Sequence, residues 1–216
     1  MSRTGTEPGR RARAEQVEQT RTAILVTAER LFAEHGVFSV SHRQISEAAG
    51  QGNNAAVGYH FGGRDDLVRA VVRRHAGPME EIRRRLSLRY AGSTNVRDWV
   101  TCEVRSFTEH LAELGDQSWY ARFAAQVMTE PSLRELAAEE LRDVPMLNAI
   151  AASLHACLEL PPPVLRERYD MAHTLIVHIC AQHERSATPD WERVAAGLID
   201  AIEGIYRAPC TGTHFS

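Results

Sequence analysis

The chain has 216 residues, 44% hydrophobic and 25% charged, with a net charge of −3; this is enough to bury a real core in one or two domains, and it excludes a disordered or low-complexity polymer. Its longest apolar runs, such as Thr174–Cys180, fall far short of the ~18 residues of a membrane span, so no membrane partner is expected. Charge is unevenly placed, with 11 arginines against 8 acids in residues 1–75 and 14 against 20 in the remainder, which marks the N-terminal third as the side a polyanion would meet.

In chain order, residues 1–14 read as a disordered basic arm carrying Arg10, Arg11 and Arg13, polar throughout and unlike a secretory signal, so the expected location is the cytoplasm. A helix is expected from Glu15 to His35, with Ile24, Ala28, Leu31 and Phe32 on one face and Gly36 ending it. Ser41-His42-Arg43-Gln44 is an S-x-x-Q capping box flanked by Val40 and Ile45 as a hydrophobic staple, and it starts a short helix that stops near Ala49-Gly50. Asn53 is placed to cap a third helix over 54–61, and Gly62-Gly63 breaks it before a fourth over 64–75. After Gly77-Pro78, periodic segments predict helices at 79–90, 96–114, 118–129, 132–159 with a split or bend at Pro145, 163–185, and 189–207. No run alternates as a strand would, so the fold class is all-α. The divisions are the arm at 1–14, a helix-turn-helix domain at 15–76 and a helical domain at 77–210.

Gly50-Gln51-Gly52-Asn53-Asn54-Ala55 fits the spelling G-x-G-x-x-A of a dinucleotide-binding turn. That reading needs a strand before the turn and an acid ~20 residues after it. Here a capped helix precedes the turn, and Val71, Val72, Arg73 and Arg74 stand where the acid belongs. What remains is a short helix, a glycine turn and a second short helix, the arrangement that lays its later helix in a DNA major groove.

Leu31-Phe32-Ala33-Glu34-His35-Gly36, the segment Ser41–Gly50, Val57-Gly58-Tyr59-His60-Phe61 and Gly63-Arg64-Asp65-Asp66-Leu67 together resemble the N-terminal DNA-binding region of the tetracycline-repressor (TetR) family over residues 21–75. The turn Gln51–Asn54 is one residue longer than the commonest form, and an arginine, Arg64, stands where lysine is usual. The resemblance implies a dimeric regulator of transcription whose C-terminal helical domain binds a small-molecule effector and dimerises. Side-chain chemistry nominates the DNA contacts. Asn53 and Asn54 suit adenine, Ala55 a thymine methyl, and Gly58 permits close approach. Tyr59 and His60 reach phosphate, with packing as the other reading of Tyr59. Ser41 and the amides of its helix N-terminus suit a phosphate, Arg43 on the same helix reaches a base or a phosphate, Gln44 stands beside them, and Arg64 suits the flanking backbone. The arginines of the arm read either as minor-groove contacts or as a solvated tail.

For the effector, Trp99, Phe107, Trp119, Phe123, Met128, His155, Met171 and His178 are the candidate lining. For the dimer interface the stripes are Tyr169, Ala172, Ile176 and Ile179 on the penultimate helix and Val194, Leu198, Ala201, Ile202 and Ile205 on the last; core within one chain is the other reading of both. No metal or cofactor is expected: His173, His178 and His183 are spaced by five, which puts no two on one helical face. The four cysteines, Cys102, Cys157, Cys180 and Cys210, have no C-x-x-C spacing. The functional expectation is a repressor released from a palindromic operator by its effector. The competitors are a small all-α enzyme, for which no nucleophile-base pair or phosphate loop is evident, and an activator or architectural DNA binder without an effector.

Overall fold

A computed structural model describes residues 7–53, 55–115 and 118–210. These form ten α-helices and, among the described residues, no strand: α1 (Glu7–His35), α2 (His42–Ala48), α3 (Ala56–Phe61), α4 (Arg64–Arg89), α5 (Val96–Leu114), α6 (Tyr120–Thr129), α7 (Pro131–Leu141), α8 (Pro145–Ala156), α9 (Pro162–His183) and α10 (Trp191–Arg207). No helix among them is long and apolar enough to cross a membrane.

The N-terminal third is a small bundle in which α1, α2, α3 and the start of α4 close over Ile24, Phe32, Val40, Ile45, Val57 and Leu67, all buried. α1 ends at Gly36, whose φ of 87° suits glycine and whose amide donates to the Phe32 carbonyl at 2.9 Å. α2 starts as its sequence dictates. The Gln44 amide donates to Ser41 Oγ at 3.3 Å, the Ser41 amide donates to Gln44 Oε1 at 2.9 Å, and Val40 and Ile45 close the staple beneath. At the turn, Asn53 Oδ1 accepts from the Ala55 amide at 2.9 Å, and the regular helix begins at Ala56, two residues later than expected.

Two expectations are corrected. The arm is helical from Glu7 onward, with residues 1–6 outside the described residues, because Arg, Ala, Glu and Gln favour helix and Pro8 falls in the first turn, where an amide has no intrahelical partner. Gly77-Pro78 does not end a helix either. α4 continues to Arg89 across the expected domain boundary at 76, with Met79, Ile82 and Leu86 buried beyond the proline. Proline adopts helical φ, and its cost is confined to one lost hydrogen bond and local crowding; packing against α5, α7 and α8 offsets it. The split expected at Pro145 does occur, with the proline opening α8.

The remaining helices surround a second core. α5 packs between α4 and α10, and α6 lies between α1 and α9, so α1, α4 and α6 tie the two halves together. α6 is started by a residue far away in sequence. The Glu184 carboxylate, just past α9, accepts from Ser118 Oγ at 2.7 Å and from the Ala121 and Arg122 amides at 3.0 and 2.9 Å, which satisfies the free amides of the α6 N-terminus with a negative charge. Arg168 on α9 donates to the Tyr206 and Ala208 carbonyls at 2.7 and 2.6 Å and so closes the end of α10.

Candidate nucleic-acid interface and interior cavity

α3 buries one side and presents the other. Ala56 and Val57 are buried, while Ala55, Gly58 and Tyr59 face out, Tyr59 with 84% of its surface exposed. A helix whose outward side chains are this small lets its backbone approach a groove, and among the described residues the tyrosine is the one long group on that face. Its C-terminal end is fixed by Arg21 of α1, which donates to the His60 carbonyl at 2.6 Å and lies over the Phe61 ring at 4.5 Å. His60 is half-buried, with its ring edge against Tyr59. Asn53 is exposed beside the turn, whereas Asn54 lies outside the described residues.

Ser41, Arg43 and Gln44 are exposed on α2 next to α3, and Arg43 donates to Glu47 at 2.7 Å. Arg64 is half-buried. It donates to the Val40 carbonyl at 3.3 Å and stacks over Phe38, so it links the start of α4 to the segment ahead of α2. Arg10, Arg11 and Arg13 are exposed along α1.

Behind this head a buried polar chain crosses the helices. Glu29 of α1 accepts from Arg74 at 2.9 Å and faces His75 Nε2 of α4 at 2.9 Å; His75 Nδ1 lies 2.8 Å from His110 Nε2 of α5. With its Nε2 on a carboxylate, a neutral His75 carries its proton there, so Nδ1 accepts and His110 donates. The Tyr120 ring of α6 stacks on His75 at 3.8 Å. Burial, together with the neighbouring His75 and Arg74, pulls His110 down to about 4, which keeps it neutral.

Tyr120 also borders a cavity of about 360 Å³ enclosed by α4 to α9. Phe107, Phe123 and Met128 of the expected lining are on its wall, together with Arg83, Glu103, Tyr169 and His173. Trp99 is buried elsewhere and donates from Nε1 to the Ser93 carbonyl at 3.0 Å; Trp119 and His178 are half-buried away from the wall, and His155 and Met171 are exposed. Arg83 and Glu103 are not among the lining residues expected from sequence. Their signal was phase: Arg83 falls four residues after Met79 and Glu103 four after Trp99, each in line with a buried stripe.

Of the expected interface stripes, Ala172, Ile176, Val194, Leu198 and Ile202 are buried within the single chain, and Tyr169 lines the cavity. Ile179, Ala201 and Ile205 keep open surface. Leu175, Ile179, Val194, Gly197, Leu198 and Ala201 outline a shallow groove between α9 and α10.

Residues 24–71 match the family described as bacterial regulatory proteins, tetR family. The chain is 35% identical over 71 residues to the HTH-type transcriptional repressor AcnR of Corynebacterium glutamicum, a match covering 33% of this chain and 37% of that relative. Among solved structures it resembles NalD, the secondary repressor of the MexAB-OprM multidrug efflux pump in Pseudomonas aeruginosa, at 28% identity and a TM-score of 0.56 over 87% of this chain and 95% of that one. It shares its fold with the regulator PfmR of Thermus thermophilus at 17% identity, a TM-score of 0.52, and 89% and 98% coverage.

Proposed function

We propose that this chain, whose residues 24–71 match the tetR family of bacterial regulatory proteins, is a ligand-responsive DNA-binding regulator of transcription rather than an enzyme. In this reading it is a cytoplasmic homodimer that represses from a palindromic operator and is released by a small-molecule effector. The observation that carries it is the outward face of α3, where Ala55, Gly58 and Tyr59 are exposed on a helix held rigidly by Arg21 and the buried Val57. The small N-terminal bundle, about residues 15–76, is the reading head, and 77–210 is the sensing and pairing part, the two sharing α4. Two heads about one helical turn apart read twice what one short helix can. The small-residue surface of α10 at Gly197, Ala201 and Gly204 beside Ile179 is the pairing face.

The cavity serves the effector, with Phe107, Phe123 and Met128 among its contacts. The coupling it needs is modest, since a tenfold loss of operator affinity takes only ~1.4 kcal/mol of differential binding. Repression as the sign of control is supported by NalD and AcnR, both named as repressors. The test is a genomic footprint of the full chain followed by anisotropy titration on the recovered duplex. The expected result is affinity that falls steeply with salt, with protection on both arms of a palindrome. If no duplex is retained at low ionic strength, the reading is wrong.

A further inference from the structure

The cavity wall holds two side chains whose hydrogen-bonding capacity the protein does not meet. Arg83 on α4 is only 7% exposed, borders the cavity, and has no hydrogen-bond partner at Nη1. Its nearest carboxylate oxygen, Glu80 Oε2, stands 3.9 Å away, beyond hydrogen-bonding reach. The other oxygen of that carboxylate, Glu80 Oε1, accepts from the Met146 amide at 2.7 Å where α8 begins, and Oε2 has no hydrogen-bond partner. On the facing α5, Glu103 receives Tyr206 Oη on one oxygen at 3.5 Å and has no partner on the other. Burial holds the Arg83 guanidinium below its ordinary value and pushes the Glu103 carboxyl up to about 7, so near neutrality Glu103 spends much of its time uncharged. The remaining ion pair of the wall, Arg134 with Asp170, is closed at 3.1 Å.

A desolvated guanidinium donor without an acceptor is costly. The group that best matches its planar fork is a carboxylate, taken through parallel charge-assisted bonds, and a protonated Glu103 adds a third donor from the other side. A cationic ligand would have to sit beside the buried arginine instead. Arg142 adds an exposed cation at the rim, and Phe107, Phe123, Val127 and Leu154 accept an apolar body. The volume of about 360 Å³ lies at the small end of the range for ligand sites, roughly 300–1,000 Å³.

We propose that the effector is an amphipathic organic monocarboxylate, bound with its carboxylate on Arg83 and its hydrocarbon body along Phe107, Phe123, Val127 and Leu154. The assignment of this ligand as effector rests on the regulator reading above. Calorimetric titration of the full chain with decanoate, decanol and decyltrimethylammonium, each below its solubility limit, tests it. Decanoate binds roughly tenfold or more tightly than decanol, the weight of one charge-assisted contact pair, and the cation binds weakest. In Arg83→Met the preference disappears, with decanoate and decanol binding alike; retained decanol binding shows that the cavity is intact. Should that variant fail to fold, the ranking of the three probes by the unmodified chain decides alone. The proposal is overturned if decanol or the cation matches decanoate, if decanoate does not bind, or if the preference survives Arg83→Met. Parallel titrations on the footprinted duplex separate the two readings. Arg83-dependent decanoate binding by a protein that never retains DNA keeps the ligand class and removes the regulator, whereas DNA retention with no carboxylate preference does the reverse.

Discussion

Tyr59 is the clearest case of a side chain that the fold does not need. With 84% of its surface exposed and only the edge of His60 beside it, its removal takes almost nothing from the core, and surface substitutions of this kind fall within about 0.5 kcal/mol. Tyr59→Ala is therefore expected to melt with the unmodified chain while binding the footprinted duplex roughly tenfold more weakly, the loss of about one good phosphate contact. Anisotropy and thermal denaturation on the same samples check it, and equal DNA affinity would remove Tyr59 from the interface. Arg64 is different, because its guanidinium is already committed to the Val40 carbonyl and the Phe38 ring. Its sequence position nominates it for the flanking DNA backbone, and only the tertiary fold shows the carbonyl 24 residues away that engages it. Glu140 on α7 is a third kind of residue, visible in sequence only as one acid among many. Arg73 first, then Arg69, hold its carboxyl down at about 2 against an ordinary 4.5. A depressed carboxylate stabilises the folded state above pH 4.5, and the contribution drains away as pH falls towards 2. Melts between pH 5 and about pH 3 should show a smaller acid-induced drop in Glu140→Gln than in the unmodified chain; equal drops would mean the contact is solvent-screened to insignificance.

How far a helix can be read from sequence depends on whether its limits are set locally. α2 is legible because Ser41 and Gln44 satisfy each other within one turn, and α5 because its apolar stripe runs unbroken from Val96 to Leu111. α4 is not legible past Gly77-Pro78 because the energy that carries the helix beyond the proline comes from α5, α7 and α8, which no local window contains. The start of α6 is likewise set by Glu184. The same dependence on distant partners governs the Glu29–His75–His110 chain that joins α1, α4 and α5. Glu29→Ala leaves Arg74 and His75 without their shared acceptor, and stripping one partner from a buried charged network costs about 3 kcal/mol or more. Urea unfolding is expected to show a lower midpoint with an unchanged slope. A change under about 1 kcal/mol would mean that water replaces the carboxylate there.

The cavity belongs to a level that no stripe reveals, since six helices must pack imperfectly around one point to leave it, and only Phe107, Phe123 and Met128 among the aromatic and sulfur-bearing candidates reach that point. Pairing of two copies stands on the same level. Val194, Leu198 and Ile202 repeat at helical spacing, yet they are consumed inside the chain; the surface left on α10 is the neighbouring flank, with Gly197, Ala201 and Gly204 exposed beside the half-buried Ile179. Gly197, Ala201 and Gly204 form a strip of small residues, beside a groove that Arg193 and His183 also line, along which two such helices can approach closely, and a bulky charge within the strip prevents it. Ala201→Arg faces solvent in the isolated chain, so its fold and melting are expected to persist while sedimentation shows a monomer. One head then makes half the contacts, and affinity for the full palindrome is expected to fall by at least ~100-fold, towards the level of non-specific binding, with a shallower salt dependence because fewer phosphates are neutralised. A variant that stays dimeric would move the pairing surface off α9 and α10. A monomer that binds the palindrome undiminished would mean that a single α3 suffices to read it.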